Sequence, residues 1–347
     1  MTSAGAESWT PTIEAVAEHA GVSRQTVSNA VNAPHRLRPV TLTRVLASIE
    51  LLGYLPNQAA RSLRTQSSRL IAFRVSPMAV TNTGGVLDRF LHAVCDSARD
   101  RGYSVLAFAA ASDDEELAAY ENLRRRNAVD AIALTATRNG DPRVNWLLGH
   151  GAQFAAFGRP WDDTPARHSW VDVDGAAGVQ QAVTHLVSQG HRRIGFLGWP
   201  EGSGAGDDRF SGWLAGTTRH RLPRRGLVQR VEEGMADGER GAGALLDAAS
   251  PPTAIVCASD TVAVGALRAV TERGYKPGRD VGVVGFDDSP IAMTAQPGLT
   301  SVRQPLETVA AHLVDAIVEH LDGTRALPTR ILLPPSLTVR GSSQREP

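Results

Sequence analysis

Between Leu70 and Phe286 the chain alternates short apolar runs with longer amphipathic ones. LIAFRV, YSVLAFAA, VDAIALTA, QFAAFG, RIGFLG, AIVCAS and VGVVGF have the length and branched-residue content of buried strands. Segments such as VLDRFLHAVCDSARDRG and TVAVGALRAVTERG between them carry helical periodicity. That order points to parallel sheets, because parallel neighbours need a crossover and the crossover helices cover both faces. The units are too numerous for one small sheet. Two α/β lobes fit better, an N-lobe of about residues 70–169 and 301–332 and a C-lobe of about 170–300 and 333–341. Ligands of such sheets sit beyond the carboxyl ends of the strands, which for two lobes means the cleft between them.

The region before Leu70 has a different texture. Thr12 is placed to cap a helix over IEAVAEHA, and Gly21 to end it in a tight turn. Ser23 then caps a second helix, RQTVSNAV, with Val27 and Val31 on one face, and a third helix runs from Thr41 to a stop at Gly53. Two short helices joined by a Gly-Val turn read as a helix-turn-helix, the second lying in the DNA major groove. Arg24 and Gln25 stand at its start, where Arg can grip guanine and Gln adenine, and Asn29 lies one turn on. Thr26, Ser28 and Asn32 suit phosphate contacts. The segment QAARSLRT, Gln58–Thr65, has too little apolar surface to be a stable helix alone.

Charge agrees with a DNA partner for this unit. The whole chain is formally neutral, but the first 69 residues carry seven arginines against four glutamates. Cys95 and Cys257 lie far apart in apolar surroundings, so neither a disulfide framework nor a CxxC metal site is expected. No run approaches 18 apolar residues and the N-terminus lacks an export leader, so a cytoplasmic protein with no membrane partner is expected. There is no HExxH, GxSxG or Gly-rich phosphate loop. His185 and His191 fall at structural positions. The expectation is therefore no catalytic residue, no metal and no cofactor.

TIEAVAEHAGVSRQTVSNAVN followed by RVLASIELLGYLPNQAARSLRT resembles the DNA-binding headpiece and hinge of the lactose-repressor/galactose-repressor family of bacterial transcription regulators. The likeness continues through VDVDGAAG, HLVSQGHRRIGFLG, ASDTVAVGAL, VGVVGFDD and LTSVRQP. It implies a helix-turn-helix headpiece over residues 11–56, a hinge helix or linker over 57–69, and a core of the periplasmic-binding-protein type over 70–341, between a disordered tail at 1–10 and a short tail at 342–347. It also implies a homodimer on pseudo-palindromic operator DNA with a small effector between the lobes. The hinge would order on DNA, with Leu63 wedged into the minor groove and Arg61 and Arg64 beside it. Thr12, Ser23, Arg36, Tyr54 and Asn57 complete the DNA-facing set.

For the effector, the resemblance carries over Arg209 and Asp287, and position adds Ser76 at the end of the first lobe strand, Ser259 at the start of the helix after IVCA and Gln304 on a crossover segment. The chain departs from the family pattern at SPMAVTNTGG, where an apolar-aromatic loop is usual, and at FGRPW, where Gly158 replaces an acid and Arg159 remains. Trp161, Trp170 and Trp199 fall at strand ends or in following loops. Indole faces suit sugar faces, so several of them imply a di- or oligosaccharide. GRPW, WVDVDG, FLGWPEGSG and GDDR together look like actinobacterial repressors of β-glucoside (cellobiose-type) uptake genes. The expected function is a repressor released by a sugar inducer. The alternatives are a co-repressor-dependent member of the family, in which ligand strengthens DNA binding, and a solute-binding protein.

Overall fold

The computed structural model describes residues 11–54, 67–76, 85–161, 165–324 and 328–345. It divides into two compact units, Met1–Ser68 and Arg69–Pro347.

The first unit contains α1 (Ile13–Ala20), α2 (Arg24–Asn32) and α3 (Pro39–Leu52), with a 3-10 turn over Pro34–Arg36. The Thr12 side chain accepts from the Ala15 amide at 3.3 Å and that of Ser23 from the Thr26 amide at 3.2 Å. Each satisfies one of the orphan donors that open a helix. Gly21 closes α1 at φ 61°, a left-handed position that glycine adopts without a Cβ penalty. Helix α3 begins at Pro39 rather than Thr41, because proline's fixed φ and missing N–H suit the first helical position. Val16, Ala20, Val27, Ala30 and Val45 make the small shared core.

The second unit holds two six-stranded sheets. The first comprises β1 (Leu70–Val75), β2 (Ser104–Ala109), β3 (Ala131–Leu134), β4 (Phe154–Phe157), β5 (Ser169–Val173) and β11 (Arg330–Leu333), in the order β11-β5-β4-β3-β1-β2 and parallel throughout. Helices α4 (Val86–Asp100), α5 (Asp113–Arg125) and α6 (Pro142–Gly149) connect its strands. The second comprises β6 (Ile194–Gly198), β7 (Val228–Arg230), β8 (Ala254–Cys257), β9 (Gly282–Asp287), β10 (Thr300–Arg303) and β12 (Ser336–Thr338), in the order β12-β10-β9-β8-β6-β7. Only β12 runs antiparallel, against β10. Its helices are α7 (Gly175–Ser188), α8 (Ala205–Arg219), α9 (Met235–Leu246), α10 (Asp260–Glu272) and the short α11 (Pro290–Thr294).

The lobe boundaries therefore differ from the sequence expectation. Strand β5, with Trp170, pairs with β4 and belongs to the first lobe, and the chain crosses over after Val173. Strand β10 pairs with β9 in the second lobe, so the return crossing follows Arg303 and not Thr300. The long helix α12 (Leu306–Leu321) then packs back on the first lobe, burying Val309, Leu313 and Ile317 with Phe90, Val94 and Val171. Hydrogen-bond pairing decides these boundaries, and pairing partners are not visible in a single apolar run.

Candidate functional site

In the first unit α2 presents its polar face outward. Arg24 and Gln25 are exposed. Arg24 Nε lies 2.9 Å from Glu14 Oε1, in a pair open enough to solvent to be weak and easily exchanged. Gln25 Nε2 donates to Asn29 Oδ1 at 3.0 Å, and Asn32 Nδ2 donates to the Ser28 carbonyl at 2.8 Å. The Ser23 and Thr26 hydroxyls are 2.9 Å apart. Arg36 is exposed in the turn after α2. Tyr54 instead rests half-buried against the headpiece core, so its ring is a packing element first. The expected hinge contacts, Asn57, Arg61, Leu63 and Arg64, lie outside the described residues.

In the second unit a cavity of about 400 Å³ opens between the two sheets, within the range usual for small-molecule sites. Its walls come from the carboxyl ends of strands on both lobes: Thr137 after β3, Phe157 and Trp161 around β4, Asp172 on β5, then Trp199, Arg209, Glu233, Asp287 and Gln304 from the second lobe. Trp161, Trp199, Arg209, Asp287 and Gln304 are thus brought together as the sequence pattern anticipates.

Four expected ligand residues are not on the cavity wall. Trp170 sits at the amino-terminal half of β5 and packs into the cluster around Tyr120 and Leu147, on the far side from the strand ends. Ser76 borders a separate small cavity against Phe73, Leu87 and Leu91. Ser259 caps α10 through the Val262 amide at 3.2 Å and donates to Glu233 Oε2 at 2.8 Å. Arg159 reaches behind the wall. Its Nη1 approaches Asp172 Oδ2 at 3.4 Å, its Nη2 pairs with Asp208, and it lies over the Trp161 ring.

The second-lobe wall is built around Arg209, a buried guanidinium stacked 3.7 Å from the centroid of Phe286 and 4.9 Å from that of Trp199. It donates to the Ala258 carbonyl, and Nη2 stands 3.6 Å from Asp287 Oδ1. Gln304 Nε2 donates to the same Asp287 oxygen at 2.7 Å. Burial pushes the Asp287 carboxyl up, and the nearby Arg209 charge opposes that shift. Burial likewise raises Asp172 to about 6, against the opposing charge of Arg159.

Glu233 is a cleft-wall side chain that sequence reasoning missed. It accepts from Trp199 Nε1 at 2.7 Å and from Ser259, so one carboxylate fixes the indole plane and ties it to the start of α10. In sequence it is one acid in the polar run VEEG after an edge strand, with no local signal to separate it from a solvated residue. Asp172 and Asp208, which Arg159 joins across the fold, were missed as well. On the opposite wall the loop after β3 is held from behind: Arg143 Nη2 donates to the Ala136 carbonyl at 2.9 Å, Nε to Asp141 Oδ1 at 2.9 Å and Nη1 to Glu116 Oε2 at 2.8 Å.

Among the described residues no group of three or more His, Cys, Asp or Glu side chains could hold a metal ion, and no helix is long and apolar enough to cross a membrane.

A helix-turn-helix unit followed by a two-lobed core with a ligand-sized interlobe cleft defines a ligand-controlled DNA-binding regulator. The comparisons with known proteins place it more closely. Residues 12–57 match the family described as bacterial regulatory proteins, lacI family, and residues 183–343 match the periplasmic binding protein-like domain. The HTH-type transcriptional regulator CelR of Thermobifida fusca is 32% identical over 96% of this chain and 98% of its own length. The HTH-type transcriptional regulator reg1 of Streptomyces lividans is 31% identical over 96% of each. The chain belongs to the lacI family of bacterial regulatory proteins. Among solved structures, a complex of the transcriptional regulator CelR with cellobiose superposes with a TM-score of 0.74 at 30% identity, covering 96% of this chain and 99% of that one. The lac repressor dimer bound to operator and the anti-inducer ONPF superposes at 0.82 with 26% identity, covering 97% and 100%. These relatives are transcriptional regulators and not enzymes.

Proposed function

We propose that the protein is a cytoplasmic homodimeric repressor that binds a pseudo-palindromic operator through α2 and is released from it by a neutral disaccharide of the cellobiose type bound between the lobes. The observation that carries the ligand class is the composition of the cleft. Two indoles border it, each with its N–H already engaged: Trp199 on Glu233, and Trp161 on Thr137. Among the described residues its wall carries the carboxylates of Asp172, Asp208, Glu233 and Asp287 and the guanidiniums of Arg138 and Arg209, with Arg159 reaching Asp172 and Asp208 from behind. Such a site offers flat apolar faces and polar edges. The CelR–cellobiose complex, superposable over almost the whole chain, supports the same ligand.

In operation, sugar bound between the lobes favours one arrangement of the core, and operator favours another. The sugar shifts the population only by its differential affinity for the two. The test is a band-shift titration of an operator selected from a random duplex pool, with and without cellobiose. Cellobiose should weaken operator binding. A ligand that tightens it would reverse the sign and make this a co-repressor system. No effect from any glycan would leave the DNA-binding reading standing and remove the sugar.

A further inference from the structure

Two cavities meet at Trp161. One is the interlobe cleft. The other, of about 140 Å³, lies on the first lobe against the start of α6, and Thr137, Arg138, Gly158 and Trp161 border both. The indole is thus a partition with space on either side.

Both lobes fix its position. On its own lobe Nε1 donates to the carbonyl and the hydroxyl oxygen of Thr137, each at 3.1 Å, and the Arg159 guanidinium carbon lies 4.8 Å from the ring centroid. On the other lobe it meets Gly204, at φ 63°, so closely that a Cβ there would lie 2.8–2.9 Å from three ring atoms. A second glycine makes room for the anchor. A Cβ on Gly158, at φ 120°, would come within 2.1 Å of the Thr137 hydroxyl that receives the indole. The FGRPW departure from the family pattern therefore has a physical content. It lets Thr137 close in and hold Trp161 across the end of the cleft.

The smaller cavity is suited to another pyranose. Leu148, Pro160 and Pro165 give it apolar surface, Asn145 and Arg167 give it polar edges, and buried His168, which also borders it, has an Nδ1 without a hydrogen-bond partner among the described residues.

We infer that Trp161 is a specificity-determining residue that sets ligand length. It ends the interlobe cleft after about one disaccharide and shuts off a cavity that would take a further sugar unit. The inference rests on the glycan reading of the cleft.

The test is calorimetric titration of the full chain with cellobiose, cellotriose and cellotetraose. The unsubstituted protein should bind cellobiose at least roughly tenfold more tightly than cellotetraose. Trp161→Ala should narrow or invert that ratio. Gly204→Ala, which displaces the indole without deleting it, should move the ratio in the same direction. A purely structural role would lower all affinities together and leave the ratio in place. An unchanged ratio in both variants, or an unsubstituted protein that binds cellotetraose as well as cellobiose, would overturn the inference while leaving the glycan reading intact. No binding of any of the three by the unsubstituted protein would overturn the glycan reading itself.

Discussion

Arg24 shows how far a single residue can be read from sequence. Its place after the Ser23 cap puts it at the exposed start of α2, where it pairs with the solvent-exposed Glu14. Arg24→Ala should relax specificity at one operator position and cost about 1–3 kcal/mol there, whereas loss of a phosphate contact would weaken all sequences alike. A binding profile unchanged across operator variants would contradict base reading by Arg24. Asp172 was not legible, because its role depends on Arg159 and Asp208, which are distant in sequence and meet it only in the fold. Its carboxyl, raised by burial to about 6, keeps its proton in the folded chain over a pH range where the unfolded chain has released it. Stability therefore falls as pH rises from about 4 through 6, and the penalty is constant above that. Relative to Asp172→Asn, the unsubstituted protein should lose up to about 3 kcal/mol across this window. Parallel stability–pH curves for the two proteins would contradict the assignment. Comparing them removes the opposing contribution of His191, whose pKa burial lowers to about 4.

At the scale of elements, the strands and helices were legible because apolar length and helical period are local properties, and the cap residues mark where each helix starts. What was not legible is which strand pairs with which. Ser169–Val173 follows a long loop and precedes a helix of the second lobe, yet its hydrogen bonds go to β4 and β11. Trp170 was misplaced with it, since a tryptophan at the entry of a strand is far from the carboxyl ends where ligands sit. The wall of the cleft after β3 depends on elements packed behind it. Arg143 of α6, about 1% exposed, joins Asp141 at the helix start, Glu116 of α5 and the Ala136 carbonyl. Arg143→Met would leave buried Asp141 without its cation and Glu116 with Arg74, whose Nε is 3.5 Å away, and should destabilise the core by about 3–5 kcal/mol in denaturant unfolding. It should also weaken sugar binding by loosening Thr137. A loss below about 1 kcal/mol would show that the buried cluster is not held by this arginine.

At the scale of the molecule, the sequence made the plan readable: a polar helix with a borrowed core, and two α/β lobes with a cleft at their strand ends. The resemblance that carried the function rests on long, contiguous motifs, and these survive where single side chains do not. The ligand is less legible, because the described residues that shape the cleft come from eight separated stretches and several are unremarkable acids. Release of operator by sugar requires coupling between the DNA and sugar sites, and thermodynamic linkage requires that coupling to be reciprocal. The direct measurement is a closed cycle on the full chain: operator affinity with and without saturating cellobiose, and cellobiose affinity with and without operator. The predicted result is that each ligand weakens the other by the same factor, about 5–150-fold for typical allosteric coupling. Tight binding of both ligands with a factor of one would contradict the central claim.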